Sequence, residues 1–148
     1  MKKLLMILTV GLFICGYAFA EVPFDAFKKA VTPSVPNTFT FDTEESHMMQ
    51  IKYKGHSADM DVLKFELHER QKDFSKMDTA LGATPWEWNG HSAIFIDGAQ
   101  SGMSVVAVKL KNDAGILYIN HRVFGAAPMT LKQLKEILAK IDLPAIEG

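Results

Sequence analysis

The run His47-Met48-Met49 is the most specific donor cluster in the chain, because thioether sulfur is a soft ligand suited to Cu(I) and imidazole also suits copper. Its competing use is structural. Met49, Ile51 and Tyr53 alternate as one face of a strand, which commits Met49 to a core and leaves His47 and Met48 as the candidate metal ligands. The five histidines, His47, His56, His68, His91 and His121, contain no H-E-x-x-H or other close pair of the kind zinc sites favour. Serine hydrolysis would need a serine on a sharp turn beside a histidine that a carboxylate orients, and no G-x-S-x-G occurs. His56-Ser57 and His91-Ser92 are neighbours whose side chains point to opposite faces of an extended segment, so they read as polar turn residues and no catalytic residue is assigned. His56, Asp59 and Asp61 offer imidazole and carboxylate donors without the spacing of a calcium loop, and read as solvated loop charge. Trp86 and Trp88 put two indoles on one face of a strand with Glu87 on the other. Such a pair either plugs a core beneath a helix or floors a ligand pocket, and these two are the candidate ligand-binding residues. No cofactor is indicated.

The N-terminal segment decides which of these residues work together, and where. Lys2 and Lys3, an apolar stretch over residues 4–14 and Ala18-Phe19-Ala20 before Glu21 have the three-part layout of a secretory signal, with cleavage expected after Ala20. The apolar stretch is shorter than the roughly 20 residues a membrane-spanning helix needs. Ile14 before Cys15 is not the small residue a lipoprotein signal places there. No stable membrane anchor is therefore expected, and the mature chain, residues 21–148, should work in the periplasm or outside the cell. Cleavage also removes the single cysteine, which excludes a disulfide framework, a thiol nucleophile, c-type haem, a thiolate iron–sulfur cluster and a thiolate zinc site. Without Lys2 and Lys3 the 16 basic residues fall to 14 against 17 acidic ones, a formal charge of −3. A mildly acidic chain lacks the basic stripe that attracts a phosphate backbone, so nucleic acid is not an expected partner.

The pattern of apolar residues predicts an α+β domain over residues 21–148. Phe24, Phe27 and Val31 recur at helical spacing, and Thr32-Pro33 ends that helix. Phe39 and Phe41 begin a strand, residues 42–46 form an acidic turn, and Met49, Ile51 and Tyr53 continue to a turn at Lys54-Gly55. Leu63, Phe65 and Leu67 alternate with Lys64, Glu66 and His68, giving a strand with one dry and one wet face. Phe74, Met77 and Leu81 suggest a short helix over residues 73–81. Asn89-Gly90 is a tight-turn sequence, and strands follow over residues 93–96, 103–111 and 116–123. Thr130 and Gln133 form a capping box for a closing helix with the stripe Leu131, Leu134, Ile137, Leu138 and Ile141, and Pro144 stops it. The sum is an antiparallel sheet of about six strands packed with an N-terminal and a C-terminal helix.

Asn89-Gly90-His91-Ser92-Ala93-Ile94-Phe95, the strand over residues 104–111, the strand over residues 116–121 and the helix over residues 131–143 together resemble the C-terminal half of the PsbP and Mog1-like domains. There an N-G-x-x-A strand, a hairpin and a closing helix follow in that order. The resemblance implies an α+β fold shared with non-catalytic accessory and binding proteins, and it carries no site residue with it. Gly-His-Ser-Ala also occurs twice, at residues 55–58 and 90–93, in unlike surroundings that argue against a duplicated half-domain. The expected function is an exported, non-catalytic binding or accessory domain whose partner is a small molecule or a periplasmic protein. The alternatives are a copper-binding protein using His47, Met48 and Met49, and a hydrolase-type enzyme.

Overall fold

The computed structural model describes residues 21–58, 60–74 and 82–148. The segment read as a secretory signal and nearly all of the short helix expected over residues 73–81 lie outside the described residues. Helix α1 (Phe24–Val31) buries Phe27, Ala30 and Val31, carries Asp25 in its first turn and Lys28 and Lys29 in its last, and so agrees with the helix dipole at both ends. Strands β1 (Phe39–Glu45), β2 (Gln50–Gly55), β3 (Val62–His68), β4 (Thr84–Trp88), β5 (His91–Ile96), β6 (Met103–Lys109) and β7 (Ile116–Arg122) form one sheet in the order β1-β2-β3-β7-β6-β5-β4. Every pairing is antiparallel, so the sheet is two meanders joined where β3 meets β7. Helices α2 (Leu131–Leu138) and α3 (Pro144–Glu147) close the chain, and Thr130 and Gln133 form the expected capping box on α2.

Four local expectations are corrected. The sheet has seven strands, because Thr84-Pro85-Trp86-Glu87-Trp88 is itself a strand at the sheet edge, where a proline takes no hydrogen bond from a ladder. The acidic residues 42–45 continue β1 past a bulge between Phe41 and Thr43, and the turn falls instead at Ser46–Met48, closed by Met49 at φ 47°. Gly55 is the last ladder residue of β2, paired with Phe39, rather than part of a tight turn. Pro144 starts α3 as well as ending the stretch before it, since the first helical position has no use for an N–H.

The two faces of the sheet are covered differently. Ile51, Leu63, Phe65, Val106 and Leu117 meet Phe27, Leu134 and Ile146 of the helices in the main core. On the opposite face a smaller cluster of Ile94, Ile96, Val105, Ala107, Ile116 and Tyr118 packs with Phe74 and Ala83. The β5–β7 half is thus buried on both faces, which is why Val105-Val106-Ala107-Val108 is apolar throughout while β3 alternates.

Candidate functional site

Asp61 and His121 continue the buried face of their strands. The alternation Leu63, Phe65, Leu67 runs back to Asp61, and Leu117, Ile119 runs on to His121, with Leu63 and His121 in register. Two polar residues on an apolar face must satisfy each other. Asp61 is 4% and His121 6% exposed, and His121 Nε2 lies 2.8 Å from Asp61 Oδ1. Asp61 Oδ2 accepts the Ser57 hydroxyl, Gly55 N–H donates to the Asp61 carbonyl at 2.8 Å, and Asp61 N–H donates to the Ala58 carbonyl at 3.3 Å. Met129 N–H donates to His121 Nδ1 at 2.8 Å. Because a backbone N–H can only donate, Nδ1 presents its lone pair, and the ring hydrogen sits on Nε2, facing Asp61. The Phe39 ring meets the imidazole edge-on, with centroids 5.9 Å apart. Burial pushes the Asp61 carboxyl up, but the hydrogen bonds from Ser57 and His121 outweigh it and hold the group below its ordinary range. The expectation that Asp61 is solvated loop charge is therefore corrected, because the strand alternation carries it inward.

Serine, aspartate and histidine are thus brought together, in an order that does not suit acyl transfer. A serine relay places imidazole between hydroxyl and carboxylate, so that nitrogen takes the serine proton. Here the carboxylate is in the middle. Ser57 spends its hydrogen on Asp61, and the one imidazole lone pair is occupied by Met129. The arrangement serves to tie residues 55–61, β7 and the approach to α2 to a single point.

Above that point lies a half-open cavity of about 420 Å³, walled by Thr38, Phe39, His56, Ala127, Met129 and Gln133 and floored by Ser57, Asp61 and His121. A larger cavity of about 620 Å³ lies between the start of the described chain, the segment after β3 and the end of α3, and is lined by Glu21, Val22, Glu69, Arg70, Ala114 and Glu147 among others. A third, about 480 Å³, opens on the face of the smaller cluster, above Ile96, Val105 and Tyr118, where Tyr118 O–H donates to Gln71 at 2.7 Å. The first of these combines an apolar wall with a buried carboxylate and imidazole, the combination that orients a small ligand.

The candidate ligand and metal residues, Trp86, Trp88, His47 and Met48, are placed apart from it, whereas His56, Ser57 and Asp61 line it. Trp86 and Trp88 share the helix-side face of β4, half-buried against the core, with ring centroids 6.0 Å apart and Lys135 Nζ 4.5 Å above the Trp86 ring. They line none of the three cavities. His47 and Met48 stand exposed on the turn after β1, while Met49 is buried in the core beside Ile51 and Tyr53. Among the described residues, no three His, Cys, Asp or Glu side chains are grouped to hold a metal. His91 is corrected from a polar turn residue to a buried member of β5, 6% exposed, its Nδ1 3.0 Å from the Trp88 carbonyl and its Nε2 against the Glu147 carboxylate. Glu147 also accepts Lys111 N–H at 3.1 Å. The two Gly-His-Ser-Ala copies are unlike in structure: His56 is exposed after β2, and His91 is buried at the start of β5. The signal for Asp61 and His121 was present as a break in residue type along an unbroken alternation, but their pairing spans 60 residues and no local motif announces it.

Among the described residues no helix is long and apolar enough to cross a membrane. No protein-family model, curated protein or solved structure matches the chain.

Proposed function

We propose that this chain is an exported, non-catalytic binding or accessory domain that receives a small molecule, or a side chain of a partner protein, in the cavity above Asp61 and His121. One observation carries the reading: the serine, aspartate and histidine that meet there are wired as a structural clasp beneath a half-open cavity, with the hydroxyl hydrogen and the imidazole lone pair both spent. The groups left to face an occupant are neutral or weakly polar, namely the Thr38 hydroxyl, the His56 ring and the Gln133 amide, beside the apolar surfaces of Phe39 and Met129. That set suits a small, uncharged ligand with both a ring or alkyl face and hydrogen-bonding groups. Export rests on the N-terminal sequence. The likeness to PsbP and Mog1-like domains belongs to the same proposal, and an antiparallel sheet with helices on one face is compatible with it.

Two measurements test the reading together. A fluorophosphonate, which labels activated serines, should leave Ser57 unmodified, and an adduct there would turn the reading into a hydrolase. A library of neutral polar fragments, followed by amide shifts, should perturb Thr38, Ser57, Met129 and Gln133 as a group. Shifts clustering at Trp86 and Trp88 instead would move the site to the indole pair.

A further inference from the structure

We infer that this cavity is proton-gated: a second proton on the His121 ring, taken at Nδ1, releases Met129 and with it the part of the cavity wall formed by Ala127 and Met129. The inference rests on the reading of the cavity as the binding site, whose regulation it describes.

The two ring nitrogens of His121 face opposite kinds of group. Nε2 faces the Asp61 carboxylate, an acceptor, and the contact survives protonation because Nε2 carries its hydrogen in both forms. Nδ1 faces the Met129 N–H, a donor, and that contact exists only while Nδ1 is unprotonated. Adding a proton sets two N–H groups against each other across a 2.8 Å gap. The imidazolium stays where it is, held by a carboxylate that is itself tied to Ser57. The Met129 side gives way.

What gives way is one segment, because few bonds hold it. Val123 N–H donates to the Gly102 carbonyl at 2.8 Å, and Thr130 N–H donates to Gln133 Oε1 at 2.9 Å. Between those anchors, among the described residues, the Met129 bond to His121 is the one hydrogen bond made by the segment. Phe124, 77% exposed, and Gly125 at φ 75° belong to an exposed stretch over residues 124–127, so the packing of the segment is confined to buried Pro128 and to Met129 against the core, next to the bond that is lost. Ala127 and Met129 wall the cavity, and their movement changes its shape directly.

The cavity lining contains no charged group besides the Asp61 carboxylate and the two histidines. Facing the ring are Asp61 and Ser57 from residues 55–61, Thr38 and Phe39 from the start of β1, Ser104 in register on β6, and Gln133 from α2. Among the described residues that line the cavity, His56 is the only titratable group besides Asp61 and His121, while the charged side chains of the neighbouring elements, Arg122 beside the ring on β7 and Lys132, Lys135 and Glu136 on α2, are not part of that lining. Histidine changes charge between about pH 5 and 8, a range an extracytoplasmic protein meets.

The test uses the free protein and needs no ligand. Long-range ¹H–¹⁵N spectra should show His121 protonated at Nε2 alone at the alkaline end of a pH series, and Nδ1 should gain its proton as the pH is lowered. Over the same range the hydrogen-exchange protection factor of the Met129 amide should fall at least about ten-fold, while Leu63 and Ile119 in the sheet keep theirs. His121→Gln, which presents a carbonyl oxygen and does not titrate, should abolish the pH dependence. Unchanged Met129 protection as Nδ1 protonates, failure of Nδ1 to protonate before the sheet unfolds, or the same acid opening in His121→Gln would each overturn the proposal. Fragment binding is measured separately, so a gate that opens on an empty cavity and a ligand site without a gate are distinguishable results.

Discussion

At the scale of single residues, the buried carboxylate of Asp61 organises its neighbourhood by taking up space as well as by charge. A Cβ built on Gly55 would lie 2.1 Å from Asp61 Oδ2, so the glycine is there for close approach and not for turn geometry. Gly55→Ala should destabilise the fold by about 1–3 kcal/mol, the usual cost of overpacking, and chemical denaturation would read it. Asp61→Ala leaves the Ser57 hydroxyl and His121 Nε2–H without their acceptor, and should cost about 3 kcal/mol. Because the folded carboxyl titrates below its unfolded counterpart, its stabilisation is fully present above the unfolded value of about 4 and is lost as pH falls through the folded one. Stability of the wild-type protein measured below about pH 4 should therefore fall more steeply than that of Asp61→Asn, and equal slopes would remove the carboxylate from the account of acid sensitivity.

At the scale of elements, each end of the chain is fastened by a small number of specific contacts. Thr130 accepts from Gln133 N–H and Gln133 reaches back to Thr130 N–H, so Thr130→Ala should cost about 1 kcal/mol and speed amide exchange in the first turn of α2. The short helix α3 is held through Glu147, which meets His91 on β5 and Lys111 N–H beyond β6. Edge strand β4 is held by its indoles, which lean on the helix-side core and carry Lys135 above them. Since that pair is half-buried, Trp88→Ala should cost about 2 kcal/mol, less than the 3–5 kcal/mol of a fully enclosed aromatic. Acrylamide should quench the emission only partly. Full quenching in the folded protein would mean that the indoles are an open surface after all, and the ligand reading of Trp86 and Trp88 would regain its ground.

For the molecule as a whole, the sheet separates its soft donors by burial. Met49 is in the core while His47 and Met48 face solvent, so competition against a Cu(I) chelator should show no tight site, and a tight one lost in His47→Ala would reverse the assignment. The α+β class, the antiparallel sheet, the residues that face the core from β2 and β3 (Ile51, Tyr53, Leu63, Phe65 and Leu67), and the capped closing helix were all legible from the chain, because they depend on periodicity and on side chains a few residues apart. That Trp86 and Trp88 share a strand face was legible too, but not the place of that strand as the seventh, at the sheet edge, where Pro85 is tolerated. Tertiary structure alone decided that Asp61 meets His121 and that His91 meets Glu147, partners 60 and 56 residues apart. Alternation shows that a polar residue points inward, but which partner awaits it depends on strand order, and the order β3-β7 is chosen by the burial of both meanders together rather than by any residue within either.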